Sequence, residues 1–174
     1  DTRCLITDKQ RLTGLVILGI KDQETFPLIF YRENCADMAL TPDDIDEAYI
    51  ASSRALAITG THLSHPNTRA AVLKALEYAR RHGLRTALDI DYRPVLWGLT
   101  SLGDGETRFV ESDQVTRELQ EVLHHFDLIV GTEEEFHIAG GSTDTLTALK
   151  NVRRATAATL VCKRGAQGCS VFEG

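Results

Sequence analysis

Two carboxylates and a guanidinium alternate at Asp89, Asp91 and Arg93, after a short apolar run and directly before Pro94. Period-two alternation puts all three on one face if the backbone stays extended. Pro94 biases Arg93 away from helix, which favours that extension. Such a trio can grip a polyol through its acids and an anion through its planar guanidinium. The same three residues would also make an ordinary ion-paired strand end.

Four further segments carry polar groups at suggestive spacings. Gly131-Thr132-Glu133-Glu134-Glu135-Phe136 places acids where a first helical turn would welcome them, with Thr132 as the N-cap. Lys163-Arg164-Gly165-Ala166-Gln167-Gly168 puts a cation ahead of two glycines, a pattern that suits a tight turn with positive φ. Phe30-Tyr31-Arg32-Glu33-Asn34 closes an apolar run with charges, as an edge strand does. His62 and His65 form an H-x-x-H that would share a face if the segment were helical. No third ligand stands at a suitable spacing, so a metal is not expected there.

The elements that must position these groups follow from periodicity and punctuation. Residues 12–20 and 26–31 read as strands of a hairpin joined by Lys-Asp-Gln-Glu-Thr. Thr41-Pro42-Asp43-Asp44 predicts a helix running to about residue 52. Residues 55–59 read as a buried strand ending at Gly60. A helix is expected over 66–82, with Ala70, Leu73, Leu76 and Ala79 as its apolar stripe and Gly83 as its stop. Strands follow over 86–90, 128–130, 159–163 and from 170 to 172; helices over 113–125 (capped by Ser112), 133–138 (stopped by Gly140-Gly141) and 145–154. The loop over 99–109, with Gly103 and Gly105, is long and polar. Alternating strands and helices predict a parallel sheet with helices on both faces. Gly60-Thr61-His62, Asp89 to Arg93, Thr132 to Glu135 and Lys163 to Gly168 then all follow strands, on the edge where open α/β sheets bind ligands.

At 174 residues and 43% hydrophobic content the chain can bury one globular core. A net charge of −6 without a basic tract argues against nucleic acid and acidic membranes as partners. No apolar run approaches the ~18 residues of a membrane span, and the N-terminus lacks signal-peptide anatomy. Cys4, Cys35, Cys162 and Cys169 form no C-x-x-C pair and read as reduced thiols of a cytoplasmic protein.

Asp89 to Trp97 resembles the D-x-N-x-R-x-x-L-W segment of carbohydrate kinases in the PfkB, or ribokinase-like, family, with Asp91 where that pattern often has Asn. Tyr31-Arg32-Glu33-Asn34-Cys35-Ala36-Asp37 and Gly131 to Phe136, followed by Gly140-Gly141, extend the likeness toward the branch that phosphorylates keto-deoxy sugar acids. The resemblance spans essentially all 174 residues. It implies a three-layer α/β/α sandwich (residues 40–174) with a small β lid hairpin (residues 12–33).

The resemblance also implies roles. Arg32, Asn34, Asp89, Asp91 and Arg93 would bind the sugar acid, Arg32 and Arg93 answering its carboxylate. Thr132, Lys163, Gly165 and Gly168 would line ATP, with Thr132 in place of the N-x-x-E asparagine. Glu135 would act on Mg²⁺ through water. The expected substrate is 5-dehydro-2-deoxygluconate of inositol catabolism. The alternatives are 2-dehydro-3-deoxygluconate, a non-catalytic sugar- or nucleotide-binding module, and a D-x-D glycosyltransferase. A homodimer through the lid is the expected assembly. The family's N-terminal glycine pair and its G-A-G-D segment, which supplies an anion hole and the Asp base, do not occur here. The resemblance thus implies the middle of a longer kinase, truncated at both ends, whose catalytic base lies beyond Gly174 and whose 174 residues alone have little or no activity.

Overall fold

A computed structural model describes residues 2–22, 26–101, 103 and 107–174. The central element is a five-stranded sheet built from β3 (Ala55–Thr59), β4 (Arg85–Asp89), β5 (Leu128–Thr132), β6 (Thr159–Lys163) and β7 (Cys169–Phe172), in that spatial order. The first four strands are parallel, and β7 runs antiparallel to β6. The all-parallel expectation is corrected at this edge. A parallel crossover needs a dozen or more residues, and the link from Lys163 to Cys169 is far shorter, so it closes as a hairpin. The other links are long enough to cross over. They carry α2 (Pro66–Arg81) after β3, α3 (Asp113–Leu123) after β4, and α4 (Glu133–Gly140) with α5 (Thr145–Ala155) after β5.

Register places Ile58, Leu88, Ile129 and Leu160 in one row across the sheet. They join a core with Val72 and Leu76 of α2, Leu119 and Val122 of α3, Phe136 and Ile138 of α4, and Val152 of α5. Burying each large side chain of this row stabilises the fold by roughly 1.5–3 kcal/mol. Residues of the opposite face, such as Ala57, Ala87, Leu128, Val130 and Val161, stay half-buried or exposed. Helices α2 to α5 pack on the face that carries this row. In α2 the buried positions are Thr68, Ala71, Val72, Ala75, Leu76 and Ala79, whereas Ala70 is exposed. A stripe in three-residue steps drifts off a helix of 3.6 residues per turn, which corrects the expected one.

Residues 42–52 form two elements instead of one helix. Thr41 and Asp44 close a capping box around a 3₁₀ turn, Pro42–Asp44. Ile45 is extended, and Asp46 caps a fresh helix, α1 (Glu47–Ala51), by accepting from the Tyr49 N–H at 2.6 Å. Two strong N-caps within five residues start two elements. His65 likewise caps α2, with Nδ1 accepting from the Asn67 N–H at 3.4 Å, and His62 lies in the separate 3₁₀ turn Gly60–Leu63. The H-x-x-H pair does not share a helix face. Among the described residues no cluster of three or more His, Cys, Asp or Glu could hold a metal.

A separate hairpin pairs β1 (Leu15–Leu18) antiparallel with β2 (Leu28–Tyr31), shorter than the runs in the sequence. The Gly19 N–H donates to the Pro27 carbonyl at 2.8 Å beyond the last pair. Residues 23–25 of the predicted loop lie outside the described residues, as do residues 102 and 104–106 of the loop over 99–109. Every residue of β1 is exposed, and in β2 only Phe30 is buried.

Candidate active site

The carboxyl ends of β3, β4, β5 and β6 bring Thr59, Asp89, Thr132 and Lys163 to one edge of the sheet. The chain leaving β3 passes against the chain leaving β4. A Cβ built on Gly60 would lie 2.1 Å from the Ile90 carbonyl oxygen, so only glycine fits there. Burial alternates through this segment: Leu88, Ile90 and Tyr92 are buried, whereas Asp89, Asp91 and Arg93 retain exposure. The three polar groups thus share a side, as period two requires. Continuous extension is nevertheless interrupted. The strand ends at Asp89, and Asp91 adopts φ +39°, while Arg93 before Pro94 is extended at φ −134°.

A left-handed non-glycine residue costs on the order of 1–3 kcal/mol unless its surroundings hold it. Both oxygens of Asp91 are held. Oδ2 accepts from Thr59 Oγ1 at 2.9 Å, and Oδ1 meets Arg93 Nη2 at 2.7 Å. Arg93 Nη1 donates to the Tyr92 carbonyl at 2.8 Å and to Glu135 Oε1 at 3.4 Å. Lys163 Nζ lies 3.9 Å from Glu135 Oε2 and 3.3 Å from Asp89 Oδ1. Five charges of alternating sign therefore run from Asp91 through Arg93, Glu135 and Lys163 to Asp89. Each cation stands between two carboxylates, leaving the row with one excess negative charge.

Thr132 caps α4. Its Oγ1 accepts from the Glu135 N–H at 3.3 Å, and Glu135 Oε2 accepts from the Thr132 N–H at 2.7 Å. This reciprocal box explains how a carboxylate only 6% exposed stays ordered at the helix end. Among the described residues Glu135 is the one buried acid, so inner-sphere metal binding by several carboxylates does not fit. Mg²⁺ commonly takes one or two carboxylates, keeps its waters and leans on substrate phosphates, and Glu135 fits that outer role. Beyond Lys163, Gly165 and Gly168 take φ +55° and +84° in the exposed turn between β6 and β7. Both readings of these glycines, turn and phosphate-approaching loop, share this geometry. Arg164 Nε reaches Glu133 Oε1 at 3.6 Å, tying the turn to α4.

Arg32, at the end of β2, pairs with Asp37. Asn34, at φ +50°, accepts from Arg11 Nε at 3.1 Å. Arg32 opens onto two clefts. One, about 730 Å³, is also lined by Asp8, Arg11, Asp37, Asp44 and His62. The other, about 910 Å³, runs past Asn34 toward His65 and Leu96. The structure gathers Asp89, Asp91, Arg93, Thr132, Glu135 and Lys163 into one network and Arg32 with Asn34 into a second cluster beside it. His62 connects them: it lines the cleft with Arg32 and Asp37, and Thr61 and Thr59 link it to Asp91. Sequence reading missed Thr59 and Asp37. A threonine ending a buried strand and an acid five residues after an arginine are weak signals until the fold sets them beside Asp91 and Arg32.

A mostly parallel sheet with a charged row beyond its strand ends and a hairpin beside it defines an α/β ligand-binding protein of the doubly wound kind. Residues 1–174 match the family described as pfkB family carbohydrate kinase. This chain belongs to that family. It is 40% identical over 137 residues to a 5-dehydro-2-deoxygluconokinase of Geobacillus kaustophilus, covering 78% of this chain and 37% of that protein. The crystal structure of a PfkB protein from Polaromonas sp. JS666 superposes with a TM-score of 0.77 at 24% identity, covering 97% of this chain and 53% of the other. A fructokinase from Vibrio cholerae O395, in a form with fructose, ADP and calcium ion bound, gives 0.74 at 18%, covering 95% and 49%. The fold is ribokinase-like α/β, a mixed sheet flanked by helices. The chain spans half or less of the length of the curated relatives it matches.

Proposed function

We propose that this chain forms the sugar-facing part, and some of the nucleotide-facing part, of a kinase that moves the γ-phosphoryl of ATP to a hydroxyl of 5-dehydro-2-deoxygluconate. The observation that carries the reading is the row from Asp91 to Lys163 at the strand ends, with the lid's Arg32 beside it. Asp89 and Asp91 offer acceptors to sugar hydroxyls. Arg32, fixed by Asp37 at the cleft mouth, is the cation for the sugar carboxylate, with Asn34 at its side. Arg93 already contacts Asp91, Glu135 and the Tyr92 carbonyl through both Nη atoms, which favours a bracing role over direct carboxylate capture.

Lys163, with the Gly165 and Gly168 turn beyond it, faces phosphate charge, and Thr132 holds Glu135 in register. Mg²⁺ bound with ATP would neutralise charge developing on the transferred group. Glu135 would orient its waters. The name of the Geobacillus kaustophilus relative supports the substrate, and the ADP and calcium ion in the Vibrio cholerae structure support a nucleotide with a divalent cation. The hairpin is proposed as a lid. Its exposed Leu15, Ile17, Leu18 and Tyr31 support pairing with the lid of a second copy. Four free thiols fit a reducing, cytoplasmic setting.

The test is ADP release by the full-length protein with Mg-ATP, comparing 5-dehydro-2-deoxygluconate with 2-dehydro-3-deoxygluconate. Preference for the first is expected. Preference for the second moves the protein to the other substrate, and activity with neither removes the sugar-acid reading and its carboxylate anchor.

A further inference from the structure

A row of side-chain hydrogen bonds leads from the charged network to the cleft. Thr59 Oγ1 donates to Asp91 Oδ2 at 2.9 Å, lies 3.2 Å from Thr61 Oγ1, and Thr61 Oγ1 lies 3.4 Å from His62 Nδ1. The carboxylate at one end fixes the direction of every proton. Ionised Asp91 only accepts, so the single Thr59 proton goes to it. Thr59 must then accept from Thr61, whose only proton is thereby spent. Thr61 is left as an acceptor for His62, and Nδ1 carries the proton. A neutral imidazole protonated at Nδ1 has a bare lone pair at Nε2.

His62 lines the same cleft as Arg32, and burial and the guanidinium charge both lower the imidazole's pKa. Burial is the larger cause of that depression, and both effects keep the ring neutral near pH 7. The carboxylates of Asp37 and Asp91 oppose it more weakly, and Asp8 and Asp44 also line the cleft.

We propose that His62 is a specificity-determining residue that accepts, at Nε2, a hydrogen bond from a substrate hydroxyl close to the carboxylate held by Arg32. This rests on the sugar-acid reading above and sharpens it. In 5-dehydro-2-deoxygluconate the carboxylate is followed by a methylene and then a hydroxyl, which donates. In 2-dehydro-3-deoxygluconate the order is reversed, a ketone and then a methylene, so the carbon that bears the hydroxyl in the first acid offers no proton to the His62 lone pair in the second. A site with an acceptor there selects the acid with a hydroxyl at C3 over the one with a ketone at C2, called here the keto acid.

The experiment uses the full-length protein and its Arg32→Ala, His62→Ala and His62→Gln variants. KM is measured for both sugar acids and for ATP, and the His62 tautomer is read by ¹⁵N NMR of the ligand-free protein. The expected spectrum shows Nδ1 protonated. His62→Ala should raise KM for 5-dehydro-2-deoxygluconate roughly twofold to tenfold, the scale of one neutral hydrogen bond, with KM for ATP unchanged. His62→Gln, whose amide oxygen can accept, should recover part of the loss, which a merely structural role would not predict. Protonation at Nε2, preference for the keto acid, or an unchanged KM in His62→Ala while Arg32→Ala raises it would overturn the His62 assignment alone. Phosphorylation of neither acid would overturn the sugar-acid reading and this assignment with it.

Discussion

Lys163 Nζ, at the end of β6, lies 3.3 Å from Asp89 Oδ1, at the end of β4, although β5 runs between those strands. The long lysine side chain reaches across the end of β5, where Gly131 and Thr132 present little bulk. A Cβ on Gly131 would lie 2.8 Å from Ile90 Cδ1, a side-chain tip that would have to shift to admit it. The contact joins the residues assigned to the phosphate side and the sugar side.

Lys163→Met should therefore weaken ATP binding more than sugar binding. Loss of a charge-assisted contact costs about 1.5 kcal/mol at a partly exposed site, so KM for ATP is expected to rise about tenfold. Steady-state kinetics with each substrate varied in turn would check this, and an unchanged KM for ATP would remove Lys163 from the nucleotide site.

Glu135 has two separable roles, capping α4 and presenting charge. Glu135→Gln retains a side chain that can complete the capping box with Thr132, whereas Glu135→Ala does not. Urea unfolding should find the Ala variant less stable than the Gln variant by about 1 kcal/mol. Both variants should need more Mg²⁺ for half-maximal ADP release. If Glu135→Gln leaves the Mg²⁺ requirement unchanged, the proposed role in ordering the ion's waters is lost.

Gly60→Ala pushes a methyl group into the Ile90 carbonyl, and backbone cannot move aside as a side chain can. Destabilisation of about 1–3 kcal/mol is expected, with a loss of sugar affinity because Thr61 and His62 follow directly. A urea midpoint equal to that of the parent protein would contradict the close approach of these two segments.

Stability should fall as pH drops below neutrality. Burial, and then Arg32, lower the pKa of His62 from its ordinary 6.5. Burial, His124 and Arg80 lower that of His125. The unfolded chain then binds more protons than the folded one between 6.5 and the lowered values, so stability is full above 6.5 and is lost as pH falls through that window. The melting temperature should be lower at pH 5.5 than at pH 7.5, and His125→Gln should reduce the difference. A difference unaffected by the substitution would assign the loss to other groups.

Much of the architecture was legible in residue order. Every β-strand and most helices lie within a few residues of their expected places, because apolar periodicity and caps such as Ser112 act locally. Asp46 as a second cap is hidden behind the Thr41-Pro42 start signal, and the antiparallel turn of β7 follows only from a helix-free link too short for a crossover. At the site, the sequence singled out Asp89, Asp91, Arg93, Glu135 and Lys163 separately.

The amino-acid sequence by itself determined the α/β alternation, the charged groups at the strand ends and the family resemblance, since each depends on spacing within a few dozen residues. Tertiary structure alone decided which charges meet. Arg93 and Glu135 are 42 residues apart, and Lys163 and Asp89 are 74. It also decided that Arg93 is braced by Asp91 and Glu135, and that Thr59 and Thr61 link Asp91 to His62. Pairings of this kind arise because parallel strands, brought side by side by intervening helices, end on a common edge. Distance along the chain carries no record of that edge.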